Sequence, residues 1–352
     1  MKKVLTFGGA MYDIFIEYEQ TQSIQLHLAS GSSSFLVLPE GKKIELNKLS
    51  YHIGGGAANS AVSFARQGHY ASCLVKVGND QAGQFLKNNL ANNKVNTQFI
   101  ITSSQSETGT SFIIPCSSGD RTILIYRGAN RIIQANEISL ELLNDIDQIY
   151  ITSLAGQSAE HVPYFLQEAK KKKIKTAINP GTTQLTTALS TLVNSLSFLD
   201  ILILNAHEAQ LLLQSLTKQS EKKIKFPKLL YEQAPCFTLK EFISRIKDFG
   251  ITTLVVTNGA EGVYVAHDQT LFFHPSLKIT PVSTVGAGDA FGSTFVGSLL
   301  HDHSIENAIR RGLCNSAAVL SHVGATTGLL TSEKLQECGA NIDPNLLQTF
   351  TI

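Results

Sequence analysis

Ala57-Ala58-Asn59-Ser60-Ala61-Val62-Ser63-Phe64-Ala65-Arg66-Gln67, closed by Gly68 and followed by Cys73-Leu74-Val75-Lys76-Val77, sets a helix and a strand side by side in one stretch. Residues 57–67 carry helical spacing, and 73–77 is an apolar run of strand length. Working outward, apolar and β-branched runs recur at 4–7, 149–152, 176–179, 201–204 and 253–257, with helix-length segments such as 83–92 between them. Strands that read as unbroken apolar runs separated by helices indicate a parallel sheet covered on both faces. The expected class is α/β: a doubly wound, mostly parallel sheet flanked by helices.

Two regions break this rhythm. Residues 14–50 open on the alternating Ile14-Phe15-Ile16-Glu17-Tyr18-Glu19 and later carry Gly31-Ser32-Ser33-Ser34, while 111–115 and 122–126 flank Ser117-Ser118-Gly119-Asp120 as a hairpin. Both read as antiparallel strands outside the main sheet. The expected division is a core of residues 1–13, 51–107 and 128–352, with a small β-sheet lid from 14–50 and 108–127. The polar stretch 217–228 reads as a surface insertion.

Composition narrows the function classes. With 352 residues, 43% hydrophobic and 16% charged, the chain has the apolar surface to form a core without metal or disulfide staples. Lys plus Arg is 29 against 28 Asp plus Glu, so it lacks the positive field that duplex binders use, and no nucleic-acid partner is expected. The run Lys170-Lys171-Lys172-Lys173 follows an amphipathic stretch and reads as a solvated helix end. His301-Asp302-His303 has no metal-ligand spacing. Cys73, Cys116, Cys236, Cys314 and Cys338 are scattered without a CxxC pair, which fits buried free thiols in a reducing compartment. No apolar run approaches a membrane span, and the start, broken by Gly8-Gly9, reads as a buried strand. A cytoplasmic protein with no membrane contact is expected.

The chemistry concentrates in Val282-Ser283-Thr284-Val285-Gly286-Ala287-Gly288-Asp289-Ala290-Phe291, with apolar residues then recurring at Phe295 and Leu299. The glycine cluster therefore opens a helix. Unpaired amides and partial positive charge at a helix N-terminus suit an anion, and small residues let a phosphate approach the backbone. A carboxylate at Asp289 would repel that phosphate unless it faced a hydroxyl about to lose its proton. On this segment alone, Asp289 also fits a simple helix cap. Gly286, Gly288 and Gly292 spell GxGxxxG, not a dinucleotide fingerprint, and no Walker-type loop is present. A second cluster, Gly54-Gly55-Gly56, leads into the helix carrying Asn59. It suits either a hydroxyl-binding cleft or close helix packing.

Taken together, these segments closely resemble the two signatures of the ribokinase-like (PfkB) carbohydrate kinases, Gly-Gly-x-x-x-Asn and Asp-Thr-x-Gly-Ala-Gly-Asp. Gly54, Gly55 and Asn59 match the first; Thr284, Gly286, Ala287, Gly288 and Asp289 match the second. Lesser matches are Gly8 with Asp13, the turn Gly78, Asp80 and Gly83, Asn205 with Glu208, and Thr257, Gly259 and Gly262. The resemblance spans about residues 4 to 330 and implies transfer of the ATP γ-phosphoryl group to a hydroxyl of a sugar or sugar-like molecule. It makes Asp289 the base, with the amides of Gly286, Ala287 and Gly288 stabilising phosphoryl charge. Asp13, Gly54, Gly55 and Asn59 hold the acceptor. Asn205, Thr257, Gly259, Gly262, Thr284 and Asn315 lie toward the nucleotide, and Glu208 serves Mg2+ through water.

Residues 119–130 resemble lid sequences of sugar and keto-sugar-acid kinases, where Arg127 reaches the acceptor or simply lies at the surface. A nucleoside kinase, or a ligand-binding protein of the same fold, are the alternatives. The acceptor's identity is not legible. The apolar run 34–39 offers a strand edge through which lids pair into a homodimer. Three departures stand out: Met11 replaces a polar residue, Gly56-Ala57 makes the pocket small and neutral, and Ser283 replaces the first Asp of the second signature. The last removes a carboxylate from the family's monovalent-cation loop, so potassium activation is expected to be weak or absent, with a nearby side chain such as His322 or Lys278 as the alternative source of positive charge.

Overall fold

A computed structural model describes residues 1–18, 22–28, 31–116, 121–217 and 237–352. All six apolar runs enter one ten-stranded sheet. From one edge its strands are Ile100–Ser103, Tyr70–Gly78, Lys3–Phe7, Gln148–Ile151, Lys175–Ile178, Ile201–Asn205 and Thr253–Thr257, all parallel. Val263–His267, Thr270–His274 and Gln348–Thr351 follow as an antiparallel meander at the other edge. That meander was not anticipated, although the tight turn at Asp268, with φ 50, marks its first hairpin.

Side chains alternate across the sheet. Leu5, Phe7, Ile149 and Ile151 pack on one face against Phe165, Leu166 and Phe242. Val4 and Tyr150 pack on the other against Phe291, Phe295 and Ile309. The chain winds outward both ways from Lys3–Phe7, so a crevice opens at the carboxyl ends of the central strands, the usual ligand position in such sheets. Those ends deliver Gly8, Thr152, Asn179, Asn205 and Thr257.

The lid is a four-stranded sheet ordered Lys48–Gly54, Met11–Glu17, Thr110–Pro115 and Arg121–Tyr126, with a separate hairpin of Gln22–Leu28 and Gly31–Val37. Its strands overrun the boundaries expected at 13 and 51, because ladder pairing continues to Met11 opposite Gly54. Asp13 therefore belongs to the lid sheet. The 117–120 turn, Cys236 and nearly all of the 217–228 insertion lie outside the described residues.

One expectation is corrected outright. Cys314 and Cys338 form a disulfide, with Cα atoms 6.1 Å apart. Packing of helix Ile305–Leu320 against Ser332–Ala340 brings them together, which a spacing of 24 residues does not reveal. Cys73 and Cys116 are free. In the lysine run, Lys170 donates to the Ser197 carbonyl, Lys171 pairs with Glu168, and Lys172 donates to Asn144. His301 stacks on the buried His69 at 4.2 Å. Among the described residues, no helix is long and apolar enough to cross a membrane, and no three His, Cys, Asp or Glu cluster as metal ligands.

Candidate active site

The acceptor side is built where the chain leaves the core for the lid. Asn130 clamps Ala10 from both sides: the Ala10 amide donates to its Oδ1 at 2.9 Å, and its Nδ2 donates to the Ala10 carbonyl at 2.8 Å. The amides of Ala57 and Ala58, at the start of helix Gly56–Arg66, donate to the Gly9 carbonyl. This hinge and the 54–56 turn are thereby held together. Gly55 takes φ 86 as it enters the helix, and a Cβ on Gly54 would collide with the Asp13 carboxylate. On the far side of the turn, a Cβ on Gly56 would lie 3.2 Å from Asp289 Oδ1 and 2.8 Å from Thr152 Cβ. The three glycines thus form a thin wall with one carboxylate against each end.

Asp289 is half-buried in the first turn of helix Ala287–Leu300 and accepts a hydrogen bond from Asn59 Nδ2 at 2.8 Å. Burial raises its pKa and the Asn59 bond opposes the rise. Asp13 is 5% exposed, and its pKa is pushed up to about 7 by burial, lowered in part by Ser111 and raised again by Asp289. Glu208 is likewise raised by burial, against the Asn205 amide and with Asp289 adding to the rise. Three carboxylates therefore share one electrostatic field. Asn205 and Glu208 brace each other, each backbone amide donating to the other's side chain at 2.8 and 2.9 Å. That reciprocal cap starts helix Ala206–Thr217.

Beside Asp289 lies a cavity of about 250 Å³ lined by Asn179, Asn205, Glu208, Thr257, Gly286, Gly288 and Asp289. Thr257 and Gly288 also line a neighbouring cavity of about 580 Å³. Gly259, Gly262, Thr284 and Ala287 border this larger space, while Val263, Leu277, Phe291, Leu313 and Leu320 supply apolar walls. Gly286 adopts φ 83 where a Cβ would overlap Ala325, so only glycine makes this turn without strain. The two cavities and the helix N-terminus form one groove: apolar at one end, amide-lined in the middle, and acidic at Asp289.

The pfkB family carbohydrate kinase model matches residues 1–332. The chain belongs to the pfkB carbohydrate kinases. It is a phosphotransferase with an alcohol group as acceptor. Among its relatives, ribokinase of Haemophilus influenzae is 27% identical over 289 residues, covering 81% of this chain and 86% of that protein. The 5-dehydro-2-deoxygluconokinase of Bacillus subtilis is 22% identical over 304 residues, covering 83% and 88%. The structure of Arabidopsis thaliana ribokinase complexed with ribose and ATP superimposes with a TM-score of 0.76 at 17% identity, covering 97% of this chain and 99% of that one, a likeness of fold.

In this kinase the two cavities gather Asn205, Glu208, Thr257, Gly259, Gly262, Thr284, Gly286, Ala287, Gly288 and Asp289, with Asn59 bonded to Asp289 and Gly54 packed on Asp13. The turn of Gly78, Asp80 and Gly83 instead bonds Thr108 and lines neither cavity, and nor do Asn315 and Arg127. Asn315 is fully buried: its Nδ2 donates to Thr294 Oγ1 at 2.6 Å and its Oδ1 accepts from the Leu330 amide at 2.8 Å. It braces the helix pair, and its neighbours Ser316 and Ala317 line the large cavity instead. Arg127 lies at the end of strand Arg121–Tyr126, before the turn Gly128–Arg131, and lines neither cavity. Sequence reasoning missed Asn179, which lines the small cavity, and singled out Lys278, which lines the large one, only as an alternative source of positive charge. Asn179 had a legible signal, since it ends an apolar strand run whose carboxyl end faces the crevice.

Proposed function

We propose that this kinase transfers the γ-phosphoryl group of ATP to a hydroxyl of a sugar or sugar-like small molecule, with Asp289 as the base. The observation that carries this reading is the Asn59–Asp289 bond at the junction of the acceptor wall and the amide-lined groove. Asn59 fixes one oxygen of Asp289 and leaves the other beside Gly56 to accept the acceptor's proton. A carboxylate whose pKa burial has raised is a more effective base than a solvated one. The amides of Gly286, Ala287 and Gly288, at the helix N-terminus, offset the charge of the transferring phosphoryl group. Asp13 binds acceptor hydroxyls, and the apolar walls of the larger cavity accommodate the nucleotide's ring.

The donor set also fits Mg2+. This ion typically takes one or two carboxylates plus phosphate oxygens and water rather than an all-protein cage. Glu208 lines the small cavity and, braced by Asn205, would hold the ion through water. Bound there, the ion would supply positive charge to offset that of the nucleotide phosphates.

The expected homodimer rests on the run 34–39, whose strand Gly31–Val37 pairs with Gln22–Leu28 in the separate hairpin; the lid's outer face supports the same reading. Tyr51, Ile14, Phe112 and Leu124 are successive cross-strand partners there, and Tyr51, Phe112 and Leu124 are 49%, 39% and 54% exposed. An apolar stripe across four strands is the kind of patch that pairs with a second copy. Light scattering at micromolar concentration is expected to report twice the chain mass; a monomer contradicts the dimer.

The test of the activity is ADP release from Mg-ATP across neutral sugars, keto-sugar acids, sugar phosphates and nucleosides. Acceptor-dependent turnover with at least one sugar is expected. Turnover of nucleosides alone transfers the site to a nucleoside acceptor, and silence across the panel contradicts the reading.

A further inference from the structure

We propose that His52 is a positioning residue that couples the lid to the 286–288 turn, so that an acceptor seated under the lid sets the phosphoryl-binding amides. This rests on the reading above, in which Asp13 holds the acceptor and the turn receives the phosphoryl group. Neither motif includes His52, and it lines neither cavity.

The lid register places His52 directly opposite Asp13, so the two side chains stand together on one face of the sheet. The ring is fixed on two sides. Its Nε2 bonds Ser50 Oγ at 3.0 Å, and Phe15, two residues beyond Asp13, meets it edge to face at 5.1 Å. On its remaining side lies Gly324, which has φ 87; a Cβ there would sit 2.5 Å from His52 Nδ1 and 2.9 Å from Cγ.

The next residue carries the contact onward, because Ala325 packs against the Cα of Gly286, which also has positive φ. The loop is anchored to the turn from a second direction too. The amides of Val282 and Ser283 both donate to the Leu320 carbonyl, at 2.7 and 3.2 Å. The 320–326 segment is therefore held between the lid on one side and the 286–288 turn on the other. Two left-handed glycines allow contacts too close for any other residue. A shift of His52 with the lid has no slack to dissipate in, because Gly324, Ala325 and Gly286 are in continuous contact. A packed chain of this kind carries coupling only where both ends bias it, which makes the claim measurable.

The test compares His52→Ala and His52→Phe with the parent, the phenylalanine retaining a ring against Gly324. Amide hydrogen exchange is read without ligand in peptides covering 284–290 and 321–327. His52→Ala is expected to speed exchange in both segments by about tenfold, and His52→Phe to restore most of the protection. Kinetics with Mg-ATP then use a sugar of the panel above that the parent phosphorylates. His52→Ala is expected to lower kcat by about tenfold with the acceptor KM changed less than about threefold, again restored by phenylalanine. Unchanged exchange at 284–290 in His52→Ala overturns the coupling, and so does a loss confined to KM. If the parent phosphorylates no sugar of the panel above, the sugar-kinase reading fails while the exchange measurement still decides the role of His52.

Discussion

Asp13 is where burial, charge and function pull against one another. Its carboxyl is nearly enclosed, and its pKa stands at about 7 against an ordinary 3.8. A carboxyl whose folded pKa lies above its unfolded value binds more protons when folded between those two values. Its contribution to stability is therefore present in full below 3.8 and is lost as pH rises through about 7. At about 1.4 kcal/mol per pKa unit, keeping Asp13 ionised at pH 8 costs about 4 kcal/mol of folding stability. Asp13→Asn removes that charge while preserving shape. The variant is expected to unfold at higher urea than the parent at pH 8, with the gap closing toward pH 4. Activity runs the other way. Acceptor kcat/KM in the parent is expected to fall about tenfold per pH unit below 7, as the carboxylate that accepts sugar hydroxyls is lost. In Asp13→Asn it is low and flat at every pH. Urea titrations and initial rates from pH 4 to 8.5 measure both. An Asn variant no more stable than the parent at pH 8, or one that keeps the parent's acid limb, refutes the reasoning.

Two further outcomes follow from the 286–288 turn and its approach. Gly286→Ala places a Cβ against Ala325 at φ 83 and is expected to lose about 1–3 kcal/mol of stability and most of kcat; a thermal melt and turnover within error of the parent contradict it. Ser283 offers only a neutral hydroxyl, whose oxygen accepts from the Val285 amide at 3.3 Å, so rates in potassium and in a bulky organic cation at matched ionic strength are expected to agree. Stimulation of several-fold by millimolar potassium contradicts that.

Six of the seven parallel strands were legible because each is buried on both faces and reads as an unbroken apolar run, from residues 4–7 to 253–257, whereas Ile100–Ser103, at the sheet edge and partly exposed, was not read. The antiparallel edge was harder, since Val263–His267 and Thr270–His274 look like the same apolar runs without their direction. The site was legible wherever backbone geometry demanded a residue type. Gly54, Gly55 and Gly286 are needed for close approach or positive φ, and Asp289 stands in the turn that Gly286 opens. Asn315 misled because a buried asparagine bracing two helices carries the same letter as one contacting a nucleotide. The Cys314–Cys338 pair was invisible because only tertiary packing brings the two cysteines together.

The central claim is that Asp289 takes the acceptor's proton while the neighbouring amides hold the phosphoryl group. It is tested most directly by Asp289→Asn, assayed for turnover with a working acceptor and for Mg-ATP binding by calorimetry. Turnover is expected to fall by roughly 10²–10⁴-fold, the scale of a lost general base, while nucleotide affinity stays within about threefold of the parent. Near-parental turnover, or a loss explained wholly by weakened nucleotide binding, contradicts the account.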